Sequence, residues 1–506
     1  IPIVPIDGYR PGDASVGDLD GDGEYEIVLH QVSRARDNSH AGITGQPVLD
    51  AYRLDGTHLW RIDLGHNVRE GEHYTQFMVY DLDGDGRAEV TCKTADGSVD
   101  GRGQVIGDAS QDYRVMDEQS QRYGRVLSGP EYFTVFDGIT GAALQTVDYV
   151  PGREPIDGWG GIGGNGGNDS YGNRCDRFLS CVAYLDGEHP SVVTCRGVYG
   201  RIVCVAWDWD GRKLTQRWTF DTGASYPPYK DASPYAGMGG HGLAVADVDF
   251  DGRDEIVYQA MVIDDDGHGL HSSGLRHGDV MYVSDLDPRR PGLEIFTVQE
   301  NEGRTVRWRT PGAALRDAKS GEILWSHSPG VDVPQGMAAD VDPRYPGFEM
   351  WGGPGGMRDV TGKDLGVAPR STWFAVWWDG DLLRELFGRS RITKWNWMEE
   401  REIDVADLNA WGTRRGPNLV ADLTGDWREE ILMTSQDGKS LRLYTTTIPS
   451  AHRLRTLMHD PQYRLSVAWQ NVVYNKPPLP SFYLGDGMSP PPAPRIRTEP
   501  TRNSAE

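Results

Sequence analysis

Three shortages bound what this chain can be. No apolar run is long enough to cross a membrane as a helix. Basic residues are outnumbered, 51 Lys and Arg against 75 Asp and Glu, for a formal net charge of -24. Such a surface repels phosphate backbones and no basic stripe interrupts it, which excludes nucleic acid as a partner. Cysteine is scarce and odd in number, with Cys92, Cys175, Cys181, Cys195 and Cys204. No C-x-x-C spacing occurs, which argues against a zinc site. Cys195 and Cys204 flank a turn at Val198-Tyr199-Gly200, so they could face each other across a hairpin or remain buried thiols. No signal peptide opens the chain, and Ile1-Pro2-Ile3-Val4-Pro5 reads as the start of a mature or trimmed fragment.

Glycine and large aromatics are abundant, with 64 Gly, 16 Trp and 22 Tyr, which suits many short strands joined by tight turns. The 506 residues could hold two to four domains, but a β-propeller can use that length as one. An acidic loop keeps returning. Its copies are Asp18-Leu-Asp20-Gly-Asp22-Gly-Glu24-Tyr-Glu26, Asp81-Leu-Asp83-Gly-Asp85-Gly-Arg87-Ala-Glu89 and Asp247-Val-Asp249-Phe-Asp251-Gly-Arg253-Asp-Glu255. Carboxylates fall at positions 1, 3, 5 and 9, with Gly at position 6 for the sharp turn. Oxygens spaced in this way replace the water shell of a hard cation, as in an EF-hand loop, which makes Ca²⁺ the expected ion. The β-type runs that follow each loop exclude the helix of an EF-hand.

Degenerate copies extend the series. Asp285 and Asp287 with Glu294, and Asp340 and Asp342 with Glu349, share a Pro-Arg insertion. Asp422, Asp426 and Glu430 keep positions 1, 5 and 9, and Tyr184-Leu185-Asp186-Gly187 is a weaker echo. The plain reading of every copy is a structural calcium staple. Between copies lie strand–Asp-Gly–strand units, at Asp55, Asp137 and Asp210. One acidic loop plus one such unit makes a four-stranded blade, and the spacing predicts seven or eight blades over residues 1–488. Three stretches break the rhythm. Trp159 to Asn168 is Gly-rich and expected at the surface, 385–415 reads as an insertion carrying Trp395, Trp397 and Trp411, and 489–506 is a Pro-rich tail expected to be poorly ordered.

A second set of metal-type residues fits no repeat. His241, His277, Asp279 and Glu300 could enclose one divalent ion, since mixed nitrogen and oxygen ligation leaves positions open for substrate. Scattered surface histidines are the alternative, because no local motif ties the four together.

The strings Asp13-Ala-Ser-Val-Gly-Asp18, His73-Tyr-Thr-Gln-Phe-Met-Val-Tyr-Asp81, Asp169-Ser-Tyr-Gly-Asn-Arg174, Gly336-Met-Ala-Ala-Asp340, Trp377-Trp-Asp-Gly-Asp-Leu-Leu-Arg384 and Ala468-Trp-Gln-Asn471 resemble polysaccharide lyase family 11. The resemblance runs from Asp13 to about Met488. It implies an all-β, eight-bladed propeller with many structural Ca²⁺ ions, secreted or at the cell surface, that cleaves rhamnogalacturonan in pectin. It also implies that His241, His277, Asp279 and Glu300 hold an active-site Ca²⁺. Asn471 would contact substrate with Val473 beside it, and Gly412-Thr413 would form a substrate loop. The family's catalytic pair does not carry over. Its Arg before Gly-Met-Ala-Ala-Asp is Gln335 here, and its Lys after Gly-Thr is Arg414. Trp411, Gly12 and Val32 also replace sugar-facing residues of the family.

The expected chemistry is β-elimination, in which an ion neutralises a uronate carboxylate and a base takes the C5 proton. Arg414 is suited to gripping the carboxylate, since a guanidinium keeps its proton. Lys476, close to Asn471 in sequence, is the candidate base, or else a solvated lysine. Trp411 could stack on a sugar face or pack in the core. The expected partner is an acidic plant or microbial polysaccharide, with another polymer containing rhamnose and glucuronate as the alternative substrate, and the chain is expected to be monomeric. Two other classes remain open, a hydrolase with paired carboxylates and a non-catalytic sugar-binding propeller.

Overall fold

A computed structural model describes residues 1–160, 167, 169–223, 233–300, 310–413, 416–474 and 476–494. Its strands assemble into eight separate antiparallel sheets, as expected of a propeller with eight blades, and the short strands Ser98–Val99 and Val105–Ile106 of the second blade's stretch extend the first sheet. The innermost strands are Arg10–Gly17, Phe77–Tyr80, Phe178–Ala183, Ala244–Ala246, Val280–Ser284, Gly336–Ala339, Phe374–Val376 and Leu419–Ala421. They are almost wholly buried, whereas an outer strand such as Ala143–Asp148 alternates between half-buried and exposed residues. Strands covered on both faces read as continuous apolar runs, and edge strands show period two.

Chain closure is made at the ends of the sequence. The eighth sheet has three strands of its own, and residues 1–3 run along its outer edge. The Ile1 amino group donates to Leu441 O at 2.9 Å, and Leu441 N donates back to Ile1 O at 2.8 Å. The first residues of the chain thus supply the outer strand of the last blade, which ties the start of the propeller to its end.

The series of blade loops is longer than the six acidic copies. Trp377 to Glu385 and Tyr184 to Ser191 complete it, each joining the first strand of a blade to its second. The stretch 385–415 is therefore no insertion. It contains the strands Glu385–Gly388, Arg391–Asn396 and Arg401–Asp407 of the seventh blade. Trp159 is likewise not at the surface. It is fully buried and donates its indole N–H to Arg153 O at 2.7 Å. Residues 161–166 and 168 of that Gly-rich stretch, and 495–506 of the tail, lie outside the described residues.

The acidic turns need left-handed backbone at two positions. Gly21 and Gly23 have φ of 80° and 90°. The third copy puts Phe250 at the first of these positions with φ 65°, and the sixth puts Trp427 at the second with φ 73°. Glycine accepts that conformation freely, whereas a bulky side chain is strained in it.

One α-helix, Pro461–Ala468, stands out among the described residues. Asp460 caps it by accepting from Tyr463 N, and Pro461 occupies the first turn, where no amide donor is needed. It packs against the innermost strands of blades one, two, three, four and eight, and so fills the propeller axis. The plug is partly polar. Gln462 Nε2 donates to Val283 O at 2.9 Å, Tyr463 Oη donates to Glu429 at 2.8 Å, and Arg464 Nε donates to Tyr80 Oη at 2.9 Å.

Candidate metal centre and active face

Blade topology sorts the functional residues onto two faces. Each acidic loop follows a first strand, so all of them lie at one end of the barrel. Residues just before a first strand, or just after a second, lie at the other end. His73 precedes Phe77–Tyr80, Arg177 precedes Phe178–Ala183, His241 precedes Ala244–Ala246, and His277 and Asp279 precede Val280–Ser284. Gln335 precedes Gly336–Ala339, and Glu300 follows Glu294–Val298. The metal-type residues that fit no repeat are therefore brought to one face, away from the loops.

The four predicted ligands meet there. His241 Nε2 is 3.5 Å from Asp279 Oδ1, His277 Nε2 is 3.8 Å from the same oxygen, and His277 Nε2 is 3.4 Å from Glu300 Oε2. All four groups are largely buried. Such separations are what donor atoms show when each lies about 2–2.6 Å from one shared cation. The tautomer of His277 is fixed, since Nδ1 donates to Gly239 O at 2.9 Å and leaves the Nε2 lone pair to face the cluster. Gly278, between two of the ligands, has no room for a side chain, because a Cβ would lie 1.9 Å from Val298 O. Arg276, just before His277, is held at φ 66°, the kind of backbone strain that collects at functional sites.

Spacing did not reveal the groups around the ligands. Tyr199 Oη is 3.1 Å from His241 Nε2, and its ring lies 4.3 Å from that of His277. The guanidiniums of Arg174 and Arg177 lie 4.2 and 4.9 Å from the Tyr199 ring centre. Burial pushes the Tyr199 hydroxyl up to about 12. His73 packs on His241 at 4.7 Å and accepts from Arg177 Nη1 at 2.9 Å through its Nε2. Asp332, in the segment before the sixth blade, is raised to about 6 by burial and by the charge of Glu300. One signal was available for His73 and Arg177, which stand before first strands as His241 and His277 do.

The remaining site candidates divide. Lys476 Nζ donates to Gln335 Oε1 at 3.0 Å, so two candidates distant in sequence are in direct contact. Lys476 is 7% exposed, which rules out a solvated lysine. Trp411 is 64% exposed, so it does not pack in the core. Its backbone is tied to Thr434 in both directions. Gly412 passes so close to its neighbour that a Cβ would lie 2.0 Å from Gly416 O, and Thr413 Oγ1 donates to that same oxygen at 3.3 Å. Arg414 lies outside the described residues.

Two of the substrate candidates, Asn471 and Val473, are engaged by the fold itself. Asn471 accepts from Phe77 N at 3.2 Å and donates to Phe77 O at 2.8 Å and Ala468 O at 3.1 Å. This pins blade two to the axial helix and leaves no amide hydrogen for a ligand. Val473 is 4% exposed and belongs to the apolar core, at φ 52°.

On the opposite face, the three clean acidic loops gather their carboxylates. Asp18, Asp20 and Asp22, then Asp81, Asp83 and Asp85, then Asp247, Asp249 and Asp251 each bring three oxygens within 4.8 Å of one another. The ninth-position acids also clasp the turn, each through one oxygen. Glu26, Glu89 and Glu255 accept from Leu19 N, Leu82 N and Val248 N at 2.7–2.9 Å. The degenerate copies hold cations or donors of their own. Arg289 engages both oxygens of Asp287, and Arg344 both oxygens of Asp342. Asp285 accepts from Tyr483 N, and Asp340 from Tyr483 Oη. Glu294 and Glu349 each clasp two backbone amides. In the last copy, Asp422 accepts from Gly425, Trp427 and Leu457 N, Asp426 pairs with Arg428, and Glu430 is bonded through both oxygens. Cys195 and Cys204 are cross-strand partners and remain thiols.

Comparison with known proteins gives this geometry a lineage. Residues 6–494 match the family model for rhamnogalacturonan lyase family 11, C-terminal domain. The rhamnogalacturonan endolyase YesW of Bacillus subtilis is 51% identical over 496 residues, covering 97% of this chain and 76% of the relative. The rhamnogalacturonan exolyase YesX of the same organism is 52% identical over 510 residues, covering 96% and 79%. The crystal structure of YesW and that of the Bacillus licheniformis rhamnogalacturonan lyase PL11 both match with a TM-score of 0.90, over 97% of this chain and 81% of theirs. A propeller of eight blades with two His and two acids gathered on one face, the chain belongs to rhamnogalacturonan lyase family 11.

Proposed function

We propose that the chain is a polysaccharide lyase that cleaves rhamnogalacturonan-type pectin by β-elimination, and that the ion held by His241, His277, Asp279 and Glu300 is Ca²⁺. The observation that carries this reading is the convergence of those four side chains on one face of a fold shared with named rhamnogalacturonan lyases. A hard divalent cation bound there supplies Lewis acidity toward the uronate carboxylate, which an elimination needs before C5 can lose its proton. His277 is turned toward the cluster by Gly239 O, so the donor set is oriented in advance.

In our reading Lys476 takes the C5 proton. Its amine lies in the described segment that crosses the active face, two residues beyond Tyr474, whose ring packs on His241 at 4.5 Å. Gln335 Oε1 positions it. Arg414 holds the carboxylate bidentately, and the indole of Trp411 offers a platform for a sugar ring. The endolyase and the exolyase match this chain almost equally, so identity alone favours neither mode of cleavage.

The test is elimination itself. The chain should generate the ultraviolet absorbance of a conjugated unsaturated uronide from rhamnogalacturonan, lose that activity in chelator and regain it with Ca²⁺. Gln335, standing where the resemblance expects arginine, favours a second reading in which the preferred polymer is another acidic polysaccharide containing rhamnose and glucuronate. Relative rates on a substrate panel separate the two, and silence on every polymer would favour a sugar-binding propeller. Calcium loops on this scale suit a compartment rich in that ion, and we place the protein outside the cytosol, secreted or at the cell surface. Fractionation of the producing cells checks that placement. Light scattering checks the proposed monomer.

A further inference from the structure

The loop of the seventh blade, Trp377 to Glu385, repeats the geometry of the calcium-type loops but differs from them in one respect. In the first loop Asp22 N donates to Asp20 Oδ1 at 3.2 Å and Glu24 N to Asp22 Oδ1 at 2.9 Å. In the seventh, Asp381 N donates to Asp379 Oδ1 and Leu383 N to Asp381 Oδ1, both at 2.9 Å. Glu26 clasps Leu19 N, and Glu385 likewise clasps Trp378 N at 2.9 Å and Asp379 N at 3.0 Å. Positions 3, 5 and 9 are thus acidic in both loops, and Trp377 stands where the first loop has Asp18.

In the fourth and sixth blades the second oxygen of the clasping glutamate, Glu255 Oε1 and Glu349 Oε1, is buried with no hydrogen-bond partner among the described residues. In the seventh blade the corresponding oxygen, Glu385 Oε1, has a cation at ion-pair distance. Lys394, on the third strand Arg391–Asn396, places Nζ 2.9 Å from Glu385 Oε1, 2.7 Å from Asp381 Oδ2 and 2.5 Å from Asp379 Oδ2. The Glu385 side chain is fully buried, and that of Lys394 is 17% exposed.

We infer that the Lys394 ammonium is a tethered substitute for a divalent cation, so that the seventh blade closes without metal while its clean siblings take one. Asp379 and Asp381 accept hydrogen bonds from the ammonium, and Glu385 Oε1 adds an ion pair at 2.9 Å, so three carboxylates surround the one cation. The charge balance explains the missing first acid. A fourth carboxylate suits a divalent ion but would leave a monovalent centre surrounded by uncompensated negative charge. The inference concerns the structural face and stands independently of the proposed catalytic centre. The loop is a latent divalent site that one substitution should open.

Two measurements on the full chain test it. In the first, hydrogen exchange is followed at a chelator concentration that leaves the circular dichroism unchanged. Peptides spanning 377–386 should keep their protection, while those spanning 18–26, 81–89 and 247–255 lose theirs. Equal loss at 377–386 would overturn the proposal. In the second, calcium bound per chain is counted after equilibrium dialysis. Lys394→Met should bind one ion more than the parent, and Lys394→Met with Glu385→Gln should not. A folded Lys394→Met variant with unchanged stoichiometry would overturn it too. Should that variant fail to fold, the exchange experiment on the unaltered chain still decides.

Discussion

With its acidic loops empty of cations, the chain should lose stability as pH rises, and the size of the fall can be worked from two glutamates. Burial strips water from the charged form of Glu89, and Asp83, Asp81 and Asp85 add repulsion, raising it from 4.5 to about 8. Glu255 is raised to about 9, again chiefly by burial, with Asp249 and Asp247 adding to it. Both side chains belong to residues that are almost wholly buried. An acid whose folded pKa exceeds its unfolded value binds protons more tightly when folded. Between 4.5 and the raised value the native state therefore holds the extra proton, and each pH unit climbed costs about 1.4 kcal/mol per group. Two groups over the two units from pH 5 to pH 7 give about 5 kcal/mol. With an unfolding entropy near 2 cal/mol/K per residue, a chain of 506 residues loses about 1 °C of Tm per kcal/mol, or about 5 °C in all. Calorimetry in excess chelator should show that fall. Saturating Ca²⁺ should abolish it, because the ion stabilises the charged form. A Tm in chelator that is flat or rises between pH 5 and pH 7 would refute the reasoning, as would the same fall with calcium present.

Other outcomes follow from single side chains. His277→Ala should lower kcat/KM by about a hundredfold or more while Tm stays within a few degrees, since its partners lie away from the acidic loops; near-normal turnover would move the catalytic centre elsewhere. Lys476→Ala should lower kcat far more than it raises KM, and a variant that eliminates at the parental rate would return the proton transfer to another group. Trp411→Ala should raise KM several-fold with kcat and Tm preserved, because the indole is 64% exposed; an unchanged KM on polymeric substrate removes the platform. Phe250→Gly should stabilise the protein by about 1 kcal/mol by relieving left-handed strain, the side chain being 60% exposed with little packing to lose; chemical denaturation measures it.

The structural face was the more legible of the two in the sequence. Its loops are local, each acid within nine residues of its partners, so spacing alone announces them. What spacing could not show was how each loop spends its acids. Asp287 and Asp342 look like ligands until Arg289 and Arg344 are seen holding both of their oxygens. Glu26 and its equivalents also give one oxygen to a backbone amide. The seventh copy escaped notice because Trp377 replaces the first acid and the compensating charge, Lys394, arrives from another strand. The axial helix was also missed, although Asp460-Pro461 is a strong start signal. Its eight residues are too few to display a clear apolar stripe, and they meet protein on several sides.

The active face is assembled from residues that share no local motif, and only blade closure brings them together. Lys476 and Gln335 make the point. They are 141 residues apart in sequence, yet the amine donates to the amide oxygen at 3.0 Å. The resemblance led one to expect an arginine at Gln335, and read position by position the chain lacks a cation there. In three dimensions the cation stands beside that position, carried by a different segment. Gln335 is suited to hold it, since its amide oxygen can accept where a guanidinium could only donate and repel. In the proposed mechanism the two side chains act as one unit. Replacing Gln335 with arginine in the presence of Lys476 should place two cations in contact and impair turnover, whereas Gln335→Arg added to Lys476→Gln, which has already lost the base, should cost little more. Additive losses in that double-mutant cycle would show that the pair does not act together.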